Sequence, residues 1–245
     1  MSITVRNVAV TEILKWLLTA LSLFRRRWWL WVPMMMLSFA PIFAISALQL
    51  DPFVGKATTF MFGALGGIVP IVYGVAQWQS RRVLDVLAGN IGALVGVAIA
   101  TTVLNLFVWK FVELPVLRLV ANADELLGYS GDFSKSELTR PRVWVDGIHT
   151  FIVMFFASPI VLASAVVLLR KVGALAALSA SARAFAVNSL TFVALALVMT
   201  VLHAFVDEPM WLFAMHAVFF LFVVAPVYMI LSIIMANDMC GAQSS

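Results

Sequence analysis

A chain of 245 residues in which 63% are hydrophobic and only 11% charged lacks the polar surface of a soluble globule, since soluble domains carry about 25% charged residues. That excludes a water-soluble fold and makes lipid the solvent. The formal charge of +4 and a pI near 9.6 do not indicate nucleic acid, because the positive residues cluster at the ends of apolar runs, where topology explains them.

The length suits about six spans of roughly 20 residues. Val8–Phe24 reads as an amphipathic helix lying on the membrane. Ile13, Trp16, Leu17, Ala20, Leu21 and Phe24 recur at spacings of three and four, with Glu12, Lys15, Thr19 and Ser22 largely on the other side. The basic cluster follows the first apolar stretch, so the N-terminus does not read as a cleaved signal peptide. Arg25-Arg26-Arg27 then runs into Trp28, Trp29 and Trp31. Arginine holds to the cytoplasmic side and Trp sits at headgroup level, so this stretch anchors the first span.

The expected spans are 28–50, 58–78, 90–112, 145–169, 188–206 and 210–235, in a single integral membrane domain, 1–245. Gly63 and Gly67 on the second span and Gly92 and Gly96 on the third have the spacing that lets helices approach closely in lipid, and facing stripes would make a tight hairpin. Residues 113–145 form the one extended polar segment. Short amphipathic pieces follow Arg81-Arg82 and Arg170-Lys171, the second carrying Arg183. Trp28, Trp29, Trp31, Trp78, Trp109, Trp144 and Trp211 fall near span ends as interface anchors. Residues 237–245 read as a polar tail, with Cys240 an ordinary reduced thiol.

Of the 16 Lys and Arg, ten fall on one side of these spans: Arg6, Lys15, Arg25, Arg26, Arg27, Arg81, Arg82, Arg170, Lys171 and Arg183. That side is therefore cytoplasmic and both termini lie inside. Topology accounts for Arg25, Arg26, Arg27, Arg81, Arg82, Arg170, Lys171 and Arg183; the alternative is that these eight make a basic ring that anionic lipid headgroups would contact.

Residues 90–105 and 188–203 align without gaps at a shift of 98, matching Asn90 to Asn188, Ala98 to Ala196 and Thr102-Val103-Leu104 to Thr200-Val201-Leu202. Each odd-numbered span is preceded by a basic or amphipathic piece. The fold class is thus an all-α polytopic bundle of three units, with interfacial helices before spans 1, 3 and 5. An odd number of hairpins differs from the inverted repeats of common secondary transporters.

The sequences Ala20-Leu21-Ser22-Leu23-Phe24-Arg25-Arg26 and Ala180-Ser181-Ala182-Arg183-Ala184-Phe185-Ala186-Val187-Asn188, with this layout, resemble six-span bacterial inner-membrane proteins. Those are distantly similar to the membrane domains attached to some glycerophosphodiesterases. The longer polar segment between spans three and four is a departure. The resemblance implies the fold and a bacterial inner-membrane location, and brings no catalytic residues.

No nucleotide-binding, Cys–His or nucleophile-elbow signature is present. His149, His203 and His216, with Asp207 four residues after His203, form the one constellation to weigh. Interfacial histidines with hydrogen-bond partners are the expectation, and a shared metal or proton site is the alternative. No run carries a charge near its middle, which argues against ion-coupled transport. The expected function is a non-enzymatic scaffold or accessory subunit without cofactor, in contact with the bilayer and a membrane protein partner. The alternative is a small transporter or lipid-handling protein.

Overall fold

The computed structural model describes residues 3–46, 48, 50–116, 119, 143–203 and 219–242. Local chemistry sets the element ends. Asp51 accepts hydrogen bonds from the backbone N–H groups of Phe53 and Val54, and Pro52 follows it. A helix therefore starts at Pro52, several residues before the expected span, because the cap satisfies its free N–H groups. That helix, α3 (Pro52–Trp78), follows α1 (Glu12–Arg26) and α2 (Trp28–Ser46). Short α4 (Val83–Leu87) leads into α5 (Ile91–Val108), and α6 spans Val143–Arg170. Next come α7 (Ala174–Val187), α8 (Ser189–His203) and α9 (Ala225–Met239).

Two single π turns, Trp109–Glu113 and Phe220–Val224, extend α5 and introduce α9. Each ends two residues before a proline, Pro115 or Pro226. The wider turn absorbs the backbone bond that the proline cannot make. Glu113 is buried within the first of them, deeper than a residue snorkelling to the interface, while Lys110 beside it is exposed.

Among the described residues, length and apolarity let four helices cross a bilayer: Phe53–Trp78, Ile91–Val116, Thr150–Arg170 and Phe222–Met239. The 26 residues of Ile91–Val116 reach about 39 Å, beyond the ~30 Å hydrocarbon core. Helices α7 and α8 meet at 87° and count as a fifth span if taken together. The described apolar part of α2, Trp28–Ile42, is shorter. On α5, Ile91, Val95, Ile99, Val103, Phe107 and Phe111 recur every fourth residue and are all exposed. An unbroken apolar stripe of this kind belongs against lipid.

Helix α9 is the axis. Eleven of its 15 residues are buried, and it packs against α1, α3 and α6, which also touches α3. Helix α2 lies on α3, α5 on α3 and α6, and α8 on α6. Helices α3, α6 and α9 thus pack together at the centre, with α2, α5 and α8 outside them. Helix α4 packs on α3 and α7 on α6, in each case the helix just before it. Helix α1 packs instead on the last helix, α9. The circle closes at the termini, where β1 (Ile3–Val5) pairs antiparallel with β2 (Cys240–Ala242).

Several sequence expectations change here. Helix α1 turns Ile13, Trp16, Ala20 and Phe24 into the protein and leaves Leu14, Leu18 and Leu21 exposed, so its apolar stripe packs on α9. The glycine stripes of α3 and α5 do not face one another. Gly66 abuts the Ser38 backbone of α2, Gly67 lies near Met229 of α9, and Gly96 lies near Ala174 of α7. Residues 237–242 are not a tail: the helix runs to Met239 and Cys240 is wholly buried in a strand. Trp31 is buried and is no interface anchor, whereas Trp28, Trp29 and Trp78 are exposed.

Candidate functional site at the arginine end of the bundle

Two polar constellations gather where the termini, α1 and the ends of α3, α6 and α9 meet. The first is a clasp. Arg170, the last residue of α6, donates from Nε to the Cys240 carbonyl at 2.6 Å and from Nη2 to the Asn237 carbonyl at 2.9 Å. The Trp16 indole N–H donates to Asp238 Oδ2 at 2.8 Å. Asn188, buried at the elbow between α7 and α8, accepts from the Val8 N–H at 2.7 Å and donates to the Arg6 carbonyl at 3.1 Å. Its amide also donates to Ala184, four residues back, as Asn90 donates to Val86. The aligned pairs Thr102–Ala98 and Thr200–Ala196 likewise make one bond twice. The two repeated stretches therefore share geometry as well as letters.

Burial pushes the Cys240 thiol up to about 11, with the Arg170 and Arg183 guanidiniums pulling the other way. The side chain is enclosed and protonated, and it serves as packing.

The second constellation is a cleft of about 190 Å³. Helix α1 contributes Leu23 and Arg26, and Arg27 follows at its end. Helix α2 contributes Trp31, α3 contributes Gly74, Gln77 and Trp78, and α9 contributes Ile230 and Ile233. These side chains meet because the Arg27 carbonyl starts α2, accepting from the N–H groups of Leu30 and Trp31, and so turns Trp31 inward. Glycine at position 74 lets the indole lie against α3. A Cβ built there would sit 3.2 Å from Trp31 Cη2 and would collide with Ile233 Cδ1. Tyr73 meets the Trp31 ring edge-on at 5.3 Å.

The electrostatics of this cleft are one-sided. Arg26 and Arg27 are exposed at its mouth, and among the described residues the one ion pair is Lys15–Glu12, which is elsewhere. Trp31 Nε1 and Gln77 Nε2 are buried donors without a partner. A buried donor with no acceptor costs about 1–3 kcal/mol, so a cleft that collects two of them beside two cations is suited to an anion.

Other site residues distribute as follows. Arg25, Arg81, Arg82, Lys171 and Arg183 are exposed, while Arg170 turns inward to the clasp. The helix backbones carry His149 in α6 and His203 at the end of α8, but their side chains, together with His216 and Asp207, lie outside the described residues, as does most of the polar segment 113–145. Among the described residues, no group of three His, Cys, Asp or Glu is placed to hold a metal. Sequence reasoning missed Gln77 and the inward role of Trp31. The signal was there in part, since Gly74 and Gln77 stand three apart on a helix whose end carries Trp78. Compared with known proteins, the chain matches no family model, no curated protein and no solved structure.

Proposed function

We propose that this chain is a six-span protein of a bacterial inner membrane, with both termini cytoplasmic, that works by contact as a non-enzymatic scaffold or accessory subunit. One observation carries the reading: the axis of the bundle is closed. Helix α9 is buried between α3 and α6, and from Ala225 to Ala236 its only ionisable group is Tyr228, which donates to Ser158 at 2.8 Å while Ser158 donates to the Met154 carbonyl. A chain that moved ions would need charged or water-lined groups at that depth. The remaining two spans are α2 and α8, the second helix of the bent pair. The 87° elbow at Asn188 suits a helix lying in the interface that hands over to one entering the bilayer. The layout's likeness to six-span inner-membrane proteins supports the same reading.

Extraction into native-lipid nanodiscs followed by mass spectrometry tests it. A stoichiometric protein partner supports the accessory role. Retention of a small-molecule cargo with no partner overturns it. The lipid-handling alternative draws on the cleft lined by Arg26 and Arg27, and retained lipid without a protein partner would favour it. Orientation is tested separately: a periplasm-active reporter fused after Ser134 gives signal and one after Ser245 does not, and the reverse pattern overturns the topology.

A further inference from the structure

We infer that the cleft between α1, α2, α3 and α9 is a binding site for a single phosphate group, carried by an anionic membrane phospholipid. The site offers two accessible cations, the Arg26 and Arg27 guanidiniums, and behind them two enclosed donors without a partner, Trp31 Nε1 and Gln77 Nε2; the unpartnered Tyr73 hydroxyl and Gln79 Oε1 are near in sequence but do not line the cleft. Trp31 is 1% exposed, so its N–H cannot be satisfied by bulk water. The complement of clustered cations and fixed N–H donors is an oxyanion with several acceptor oxygens, and arginine pairs with phosphate through two parallel bonds.

Size and polarity narrow the source. At about 190 Å³ the cleft is smaller than the ~300–1,000 Å³ of pockets that enclose drug-sized ligands. It takes a headgroup and leaves acyl chains outside. Leu23, Trp78, Ile230 and Ile233 give it an apolar wall, which a free phosphate would not use and a glycerol ester would. Exposed Trp28 and Trp29 stand beside Arg27, placing the mouth at headgroup depth. The inference rests on reading this end of the bundle as membrane-facing, and the binding test below does not depend on which side of the membrane it faces.

The full chain, purified in a mild detergent, is titrated with phosphatidylglycerol, phosphatidylcholine or inorganic phosphate, and bound species are counted by native mass spectrometry. One phosphatidylglycerol binds the unaltered chain, and phosphatidylcholine binds at least tenfold more weakly. The double variant R26Q/R27Q loses roughly tenfold or more in affinity, since each arginine near an anionic surface contributes several-fold. W31F, which keeps an aromatic ring but removes the N–H and part of the indole, loses several-fold, and its binding is compared at a temperature well below its own melting point so that lost packing is not read as lost affinity. The double variant R81Q/R82Q, which alters exposed arginines outside the cleft, loses less than twofold. Displacement of the lipid by millimolar inorganic phosphate would assign the same site to free phosphate; lack of displacement assigns it to lipid. Equal binding by the unaltered chain and R26Q/R27Q, or an equal loss in R81Q/R82Q, would overturn the inference in favour of diffuse surface charge.

Discussion

Trp16 and Asp238 are separated by 222 positions in the chain and by 2.8 Å in space, the indole N–H of the first donating to the carboxylate of the second. This bond fastens the first helix to the last. With the β1–β2 pair and the contacts of Asn188 to Arg6 and Val8, it stands in for the covalent link that joins the other units.

The bond has a measurable cost when removed. Trp16→Phe keeps an aromatic side chain but strips the donor from a carboxylate, a change worth about 1–3 kcal/mol, and adds the cost of the lost indole volume. We expect a melting temperature several degrees lower in nanodiscs. Asp238→Asn keeps an acceptor oxygen without the charge and should lose about half as much. If both variants melt with the unaltered protein, the closure does not hold the termini.

Helix approach offers a second test. A Cβ on Gly66 would strike the Ser38 carbonyl oxygen, which is backbone and cannot swing away, whereas Gly92 has open space around it. Gly66→Ala should therefore separate α2 from α3 and sharply lower the yield of folded protein on size exclusion. Gly92→Ala should be neutral or slightly stabilising, because alanine also restricts the unfolded chain. Equal behaviour of the two would remove close packing of α2 on α3 as the cause.

Cys240 should resist alkylation. Its thiol is buried and pushed from an ordinary value of 9.0 up to about 11, so little thiolate exists at pH 8. Its folded value lies above its unfolded one, so its contribution to stability is whole below about pH 9 and is lost as pH rises toward about 11. Cys240→Ala should lack that decline. The difference between the two denaturation curves across this window is the readout, and parallel curves would rule the effect out.

Arg170→Ala removes both the bond to the Cys240 carbonyl and that to the Asn237 carbonyl. Maleimide labelling of Cys240 in the folded protein should then speed up at least tenfold. Lys171→Ala, at an exposed neighbouring position, should leave the rate unchanged. Equal rates in all three proteins would mean that the strand pair alone shields the thiol.

Much of this molecule was legible in one dimension. The apolar runs, the short amphipathic pieces before α2, α5 and α8, and the aligned Asn90 and Asn188 stretches follow from period and composition. Such signals are local, and lipid demands that backbone bonds be satisfied within each helix. Partner choice is not local. Nothing in the spacing of Gly63, Gly66 and Gly67 says whether they face α2, α5 or α9, since a small residue permits an approach without naming the partner. For the same reason Trp31 looked like its neighbours Trp28 and Trp29 until packing drew it under α3, and Cys240 looked like part of a tail until β1 covered it. The sequence by itself determined that the chain is helical and apolar enough to live in lipid, with two stretches that align at a shift of 98. Only the tertiary structure decided that α9 lies at the centre, that β1 pairs with β2, and that Arg26, Arg27, Trp31 and Gln77 line one cleft.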